Sequence, residues 1–198
     1  MRLFLLIAAL AAPVPGLAAT PTPDWPCVQP RQPHLSLGQV WAGPPPDADT
    51  PRLAADPAIA ALADRAVQRR LPVEEAEAAI ADFAAGASDA QLTALMQAVF
   101  DRIDSHRTRL LDGIARYGRK QVDLAAQVES RRQRMAELEK APWPDFDAID
   151  REEAALDMET RVFTDRQQSL TYVCETPVIL EQRLFALGRA IAGHLGTQ

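Results

Sequence analysis

A chain of 198 residues has the length of one domain with room for an extension. Hydrophobic residues make up 47% and charged residues 24%, the balance of a globular protein rather than a disordered one. Aromatics at 6% and only 9 glycines exclude a strand- and turn-rich β-sandwich, and a net charge of −6 argues against a nucleic-acid coat. What remains is an all-α protein rich in Ala, Arg and Glu.

Residues 1–19 read as a signal peptide. Arg2 supplies the positive end, Leu3 to Ala12 form a short apolar run, and Gly16-Leu17-Ala18 offers small residues at the cleavage site. A spanning helix needs about twenty apolar residues, so the run is too short for an anchor, and the cleaved chain is not membrane-spanning. The expected destination is the periplasm. That compartment is oxidising, so the two cysteines, Cys27 and Cys174, are expected to form one disulfide. It closes a loop of roughly 150 residues, which the chain-entropy model values at about 4–5 kcal/mol.

Of the 16 prolines, 12 lie at or before Pro57. Residues 20–56 are therefore expected to be an extended arm, because proline lacks the N–H that a helix needs and restricts the residue before it. Within the arm, Asp24–Gln29 and Leu35–Trp41 carry apolar anchors, so residues 24–42 should strap across the helices with Cys27 pinning them. Gly43 to Asp56, with three consecutive prolines, reads as a linker.

Two short helices are expected over 57–86. Asp56-Pro57 is an N-cap followed by proline at the first helical position. Ile59, Leu62 and Ala66 mark an apolar face up to about Arg70. Pro72 opens the second helix, with Val73, Ala76, Ile80 and Phe83 on one face, and Gly86 ends it.

The remainder, 87–198, predicts a long antiparallel helical hairpin. Ser88-Asp89-Ala90-Gln91 is a capping box. A seam follows from Leu92 through Ile103, His106, Leu110, Ile114, Gln121, Leu124 and Val128 to Leu138, with a stutter where two four-residue steps meet around Leu110. A turn is expected at 141–146, from Ala141 through Pro142-Trp143-Pro144 to Phe146. The return seam runs from Ile149 through Phe163, Gln167, Cys174, Pro177, Glu181 and Leu184 to Leu195. Folding the two seams at the turn sets Leu138 against Ile149, Leu124 against Phe163, Ile103 against Leu184 and Leu92 against Leu195, a constant register. Such a coiled coil would be about 75 Å long at 1.5 Å per residue.

The same register sets Gln121 against Gln167, a polar layer, and His106 against Glu181, a buried pair. Pro177 falls inside the stutter with Cys174 one turn away, so both arms should be irregular there.

Three surfaces are candidates for function. Trp143 and Phe146 sit on a tight turn with few neighbours, the placement of a partner-binding anchor. Arg102, Arg109 and Arg116 recur every seven residues, in a segment whose six cations outnumber two anions, and form a stripe suited to an anionic partner. The kinked Cys174–Pro177 joint could open a pocket for a small molecule or lipid.

No G-x-S-x-G, P-loop or dinucleotide-binding motif occurs, no C-x-x-C is present, and the Glu-x-x-His pairs of a bundle metal site are missing. No catalytic, metal or cofactor residue is therefore assigned. The leading expectation is a periplasmic, non-enzymatic hairpin that acts as a scaffold or adaptor for an envelope protein, without nucleic acid. The alternative is a ligand-binding bundle with its pocket at the joint. Pairing of two hairpins into a homodimeric four-helix rod is a third expectation.

Overall fold

The computed structural model describes residues 25–196, so the expected signal peptide lies outside the described residues. Six helices follow in order: α1 (Leu37–Val40), α2 (Thr50–Ala54), α3 (Pro57–Ala66), α4 (Val73–Ala84), α5 (Asp89–Glu139) and α6 (Phe146–Ala192). Helices α5 and α6 pair along the hairpin, and the described residues contain no strand. The chain is all-α, built on the long antiparallel hairpin expected from its seams.

Local chemistry sets the helix ends. Asp56 accepts from the backbone N–H of Ala58 at 2.9 Å, which starts α3. Ser88 and Gln91 close a reciprocal capping box on α5, with Gln91 N–H donating to Ser88 Oγ at 3.3 Å and Ser88 N–H to Gln91 Oε1 at 2.9 Å. The return helix is capped by Asp145, which accepts from Ala148 N–H at 3.1 Å, so α6 begins at Phe146, within the turn expected at 141–146.

The base of the hairpin holds the core. Helix α3 packs on α5, α4 on α6, and α3 on α4. Leu92, Leu95, Met96, Val99 and Ile103 of α5 meet Leu180, Leu184, Leu187 and Ile191 of α6, with Ile59 and Ile80 from the short helices. Each such fully buried side chain contributes about 1.5–3 kcal/mol. Between positions 122 and 172, by contrast, only Val128 and Glu152 are buried. Stability is concentrated in a four-helix base, and a two-helix stalk projects from it.

The arm does strap the base. Val40 and Trp41 enter the main core, Leu35 N–H donates to Asp104 Oδ1 at 2.8 Å, and Arg31 pairs with Asp112 at 2.8 Å. The Cys27–Cys174 disulfide pins its start. Residues 43–56, however, are not a bare linker. The Asp47 carboxylate accepts from Thr50 N–H and Thr50 Oγ, both at 2.9 Å, and winds α2, which lies against α5. Thr50 is buried there. A proline at the second helical position is compatible with this short turn because its missing N–H would have no partner anyway.

Candidate interaction site at the hairpin tip

Pro142 and Pro144 fix two backbone angles in the four residues between the Lys140 cap and Asp145. Helix α6 starts immediately after, and the turn is too short for its rings to fold back over the last layer of the coil. Trp143 is 92% exposed and Phe146 72% exposed. Both expected tip residues thus stand in solvent at the end of the stalk. Half-buried Leu138 and Ile149 close the coil behind them.

The tip is also acidic. Residues 137–153 hold seven carboxylates and two cations, five of the chain's six net negative charges. The arginines just behind it have partners of their own. Arg131 donates to Glu152 at 3.0 Å and pairs with Glu159 at 2.9 Å, while Arg134 reaches Glu152 at 3.8 Å. Hydrogen bonds to Glu159 and Glu152 hold the Arg131 guanidinium pKa above its ordinary value. This network replaces the apolar seam in the middle of the stalk and lines a cleft of about 340 Å³ with Gln127 and Ser130. Glu137, Glu139, Asp147 and Asp150 remain exposed beside the aromatic pair.

The arginine stripe is only partly on the surface. Arg102 turns inward, pairs with Asp64, and donates to the carbonyls of Ala98 at 3.0 Å and Ala60 at 3.3 Å. It ties α5 to α3 and is not available to a partner. Arg109 and Arg116 are exposed, with Arg109 Nη1 resting on Ser105 Oγ at 2.6 Å.

Two expected seam contacts are corrected. Glu181 has a cationic partner, but it is Arg107, while His106 is exposed. The buried positions run Ile103, Arg107, Leu111, Ile114, so the two four-residue steps come one turn earlier than the sequence pattern suggested. The strap is the cause. It lies against this flank, and its Gln32 carbonyl accepts from Arg107 Nη1, which rotates the buried face towards it. Gln121 is buried, but it donates to the Phe163 carbonyl at 3.4 Å, and Gln167 is exposed. The polar layer is therefore a side chain against a backbone carbonyl.

The joint at Cys174 and Pro177 is occupied by its own side chains. Cys27, Leu111 and Ile114 pack with Trp25, Val173 and Cys174, and Pro177 is buried. Among the described residues no group of His, Cys, Asp or Glu is placed to hold a metal ion, and no helix is long and apolar enough to cross a membrane.

Sequence reasoning missed Arg183, Arg131 and Gly188. Arg183 is buried and donates to the carbonyls of Ala66 and Leu71, at the α3–α4 link. A Cβ on Gly188 would lie 2.5 Å from the Val40 carbonyl, so its hydrogen lets the strap touch α6. Arg131 and Gly188 stand at positions of the apolar seams, which is the signal for both, whereas Arg183 falls between seam positions. No protein-family model, curated protein or solved structure matches this chain.

Proposed function

We propose that this chain is a periplasmic, non-enzymatic helical-hairpin module that engages a protein partner through the tip of its stalk. The observation that carries the reading is the exposure of Trp143 and Phe146 at the end of two helices of 51 and 47 residues. Large rings on a rigid turn supply contact area at low entropic cost, as interface anchors do. A slender stalk encloses no small substrate but places its tip far from its base. The disulfide suits an oxidising compartment, and the leader-like residues 1–19 supply the route. The joint carries no comparable support for a ligand, because its apolar side chains fill it.

Site-specific photocrosslinking in the native envelope tests this. A probe at Trp143 should give a discrete protein adduct, and one at Glu129 on the stalk flank should not. Equal labelling at both positions, or none at either, would remove the tip from the proposal.

A further inference from the structure

The tip's chemistry and one bare face of α6 together indicate what docks there. We infer that the outer face of α6 packs antiparallel on the same face of a second copy of this chain, seating each tip beside the other's α3–α4 link. This rests on the tip being a docking surface and names its partner.

Ala154, Met158, Arg161, Asp165, Tyr172 and Ile179 fall within one narrow arc of α6 at 3.6 residues per turn. All six are exposed, with Met158 at 64% and Tyr172 at 75%. The arc lies opposite Phe163, whose carbonyl meets Gln121 of α5. Two of its hydroxyls, those of Ser169 and Thr176, are already satisfied. Ser169 donates to the Asp165 carbonyl at 2.9 Å and Thr176 to that of Tyr172 at 3.0 Å, so covering this face leaves neither donor unpaired.

The face is bounded at both ends. One end is the tip. At the other, Arg183 holds the α3–α4 link across α6 one turn beyond Ile179. A cleft of about 350 Å³ opens there, lined by Arg69, Leu71, Pro72, Val73 and Ile179. Phe146 to Ile179 is about 50 Å of open helix at 1.5 Å per residue. A two-fold antiparallel overlay that uses this whole length brings each tip to the other copy's cleft.

The free face fixes that register to within about one residue. Within it Arg161 comes opposite Asp165 of the second copy, a pair that occurs twice. Both side chains are exposed in the single chain. The acidic, aromatic tip meets an apolar cleft rimmed by Arg69, with exposed Arg70 beside it. An anionic membrane surface would repel the same tip.

Sedimentation equilibrium of the signal-cleaved chain across the micromolar range tests the assembly. The expected mass is that of two copies. Arg161→Asp alone and Asp165→Arg alone should each weaken the dimer roughly tenfold or more by opposing like charges, and the double swap R161D/D165R should restore it. Both sites are solvent-exposed, and circular dichroism checks that each variant folds. A single-copy mass at every concentration would overturn the inference, as would single variants that dimerise normally or a double swap that does not recover. The Trp143 photoprobe separates the two readings. An adduct to a different protein on a monomeric chain leaves the tip function standing and this inference fallen. A self-adduct supports both, and no adduct with no dimer removes both.

Discussion

Arg183 Nε donates to the Ala66 carbonyl at 2.8 Å, and its Nη1 donates to the Leu71 carbonyl at 2.9 Å. One cation on α6 thereby caps the end of α3 and holds the far end of the α3–α4 link. Ala66 is the last residue of α3, where carbonyls lack partners along the helix and positive charge is favoured. Burial lowers the guanidinium pKa, but not enough to discharge an arginine. Arg183→Met keeps the volume and leaves two carbonyls unpaired. Hydrogen bonds to a charged group are worth about 1.5–3 kcal/mol each, so the loss of two should lower stability by about 3–6 kcal/mol in urea denaturation. A loss below about 1 kcal/mol would show that solvent replaces the guanidinium without cost.

Gly188 and Gly113 give a paired test with opposite signs. A Cβ at 188 would lie 2.5 Å from the Val40 carbonyl, a backbone atom of the strap, whereas at 113 the nearest atom is Arg116 Nη2 at 3.8 Å. Alanine is the better helix former by about 1 kcal/mol in both places. At Gly113 that gain should appear as a higher melting temperature. At Gly188 displacement of α1 should outweigh it, with overpacking costs of about 1–3 kcal/mol. Amide exchange should quicken at Val40 and Trp41 in the Gly188→Ala variant alone. Equal stabilisation of both variants would contradict the close strap contact.

Arg102 gives α3 a small dependence on acid. Its hydrogen bond to Asp64 holds that carboxyl below the ordinary value of 3.8. A depressed folded-state pKa adds stability that is present above the unfolded value and lost as pH falls through the folded one. The Asp64 side chain is 66% exposed, so the contribution is small and screened by salt. Asp64→Asn should therefore flatten the loss of stability below pH 3.8 and leave the acid side otherwise unchanged, as read by denaturation at two salt concentrations. An identical acid limb in both proteins would show that the Arg102 contact contributes nothing.

The hairpin was legible because two long apolar periodicities stay in register when folded at a proline-bracketed turn, and little else satisfies both. The exposed tip was legible for a related reason, since Trp143 and Phe146 had no seam position to occupy. Arg107 was not legible. The strap that buries it is remote in sequence, and periodicity within α5 alone favours His106 by one residue. Helix α2 was hidden by composition. Proline counts mark residues 43–56 as extended, yet the reciprocal Asp47–Thr50 contacts wind a turn that α5 then covers. Arg102 shows the limit of a charge stripe, because heptad spacing places it beside Arg109 and Arg116 but does not reveal that Asp64 and two backbone carbonyls of the base already hold it.

The disulfide and the core hold different parts of the strap, and this predicts a partial release. Trp25, Cys27 and Cys174 belong to a small cluster with Leu111 and Ile114, whereas Val40 and Trp41 belong to the main core. Trp41 also donates through Nε1 to the Pro44 carbonyl at 2.7 Å, a local bond that satisfies its indole N–H within the core. Reduction should free residues 25–30, up to the Arg31–Asp112 pair and the Arg107–Gln32 hydrogen bond, and leave α1 in place. Cross-linking across 147 residues constrains mainly the unfolded chain, so global stability should still fall by about 4–5 kcal/mol in the chain-entropy model. Two readouts separate the effects. Cys27→Ser with Cys174→Ser should lower the urea midpoint, while native-state amide exchange quickens before Arg31 and keeps its pattern at Val40 and Trp41. Loss of protection at Val40 as well would mean that the strap docks as one unit, with the disulfide rather than the aromatic anchors holding it to the base.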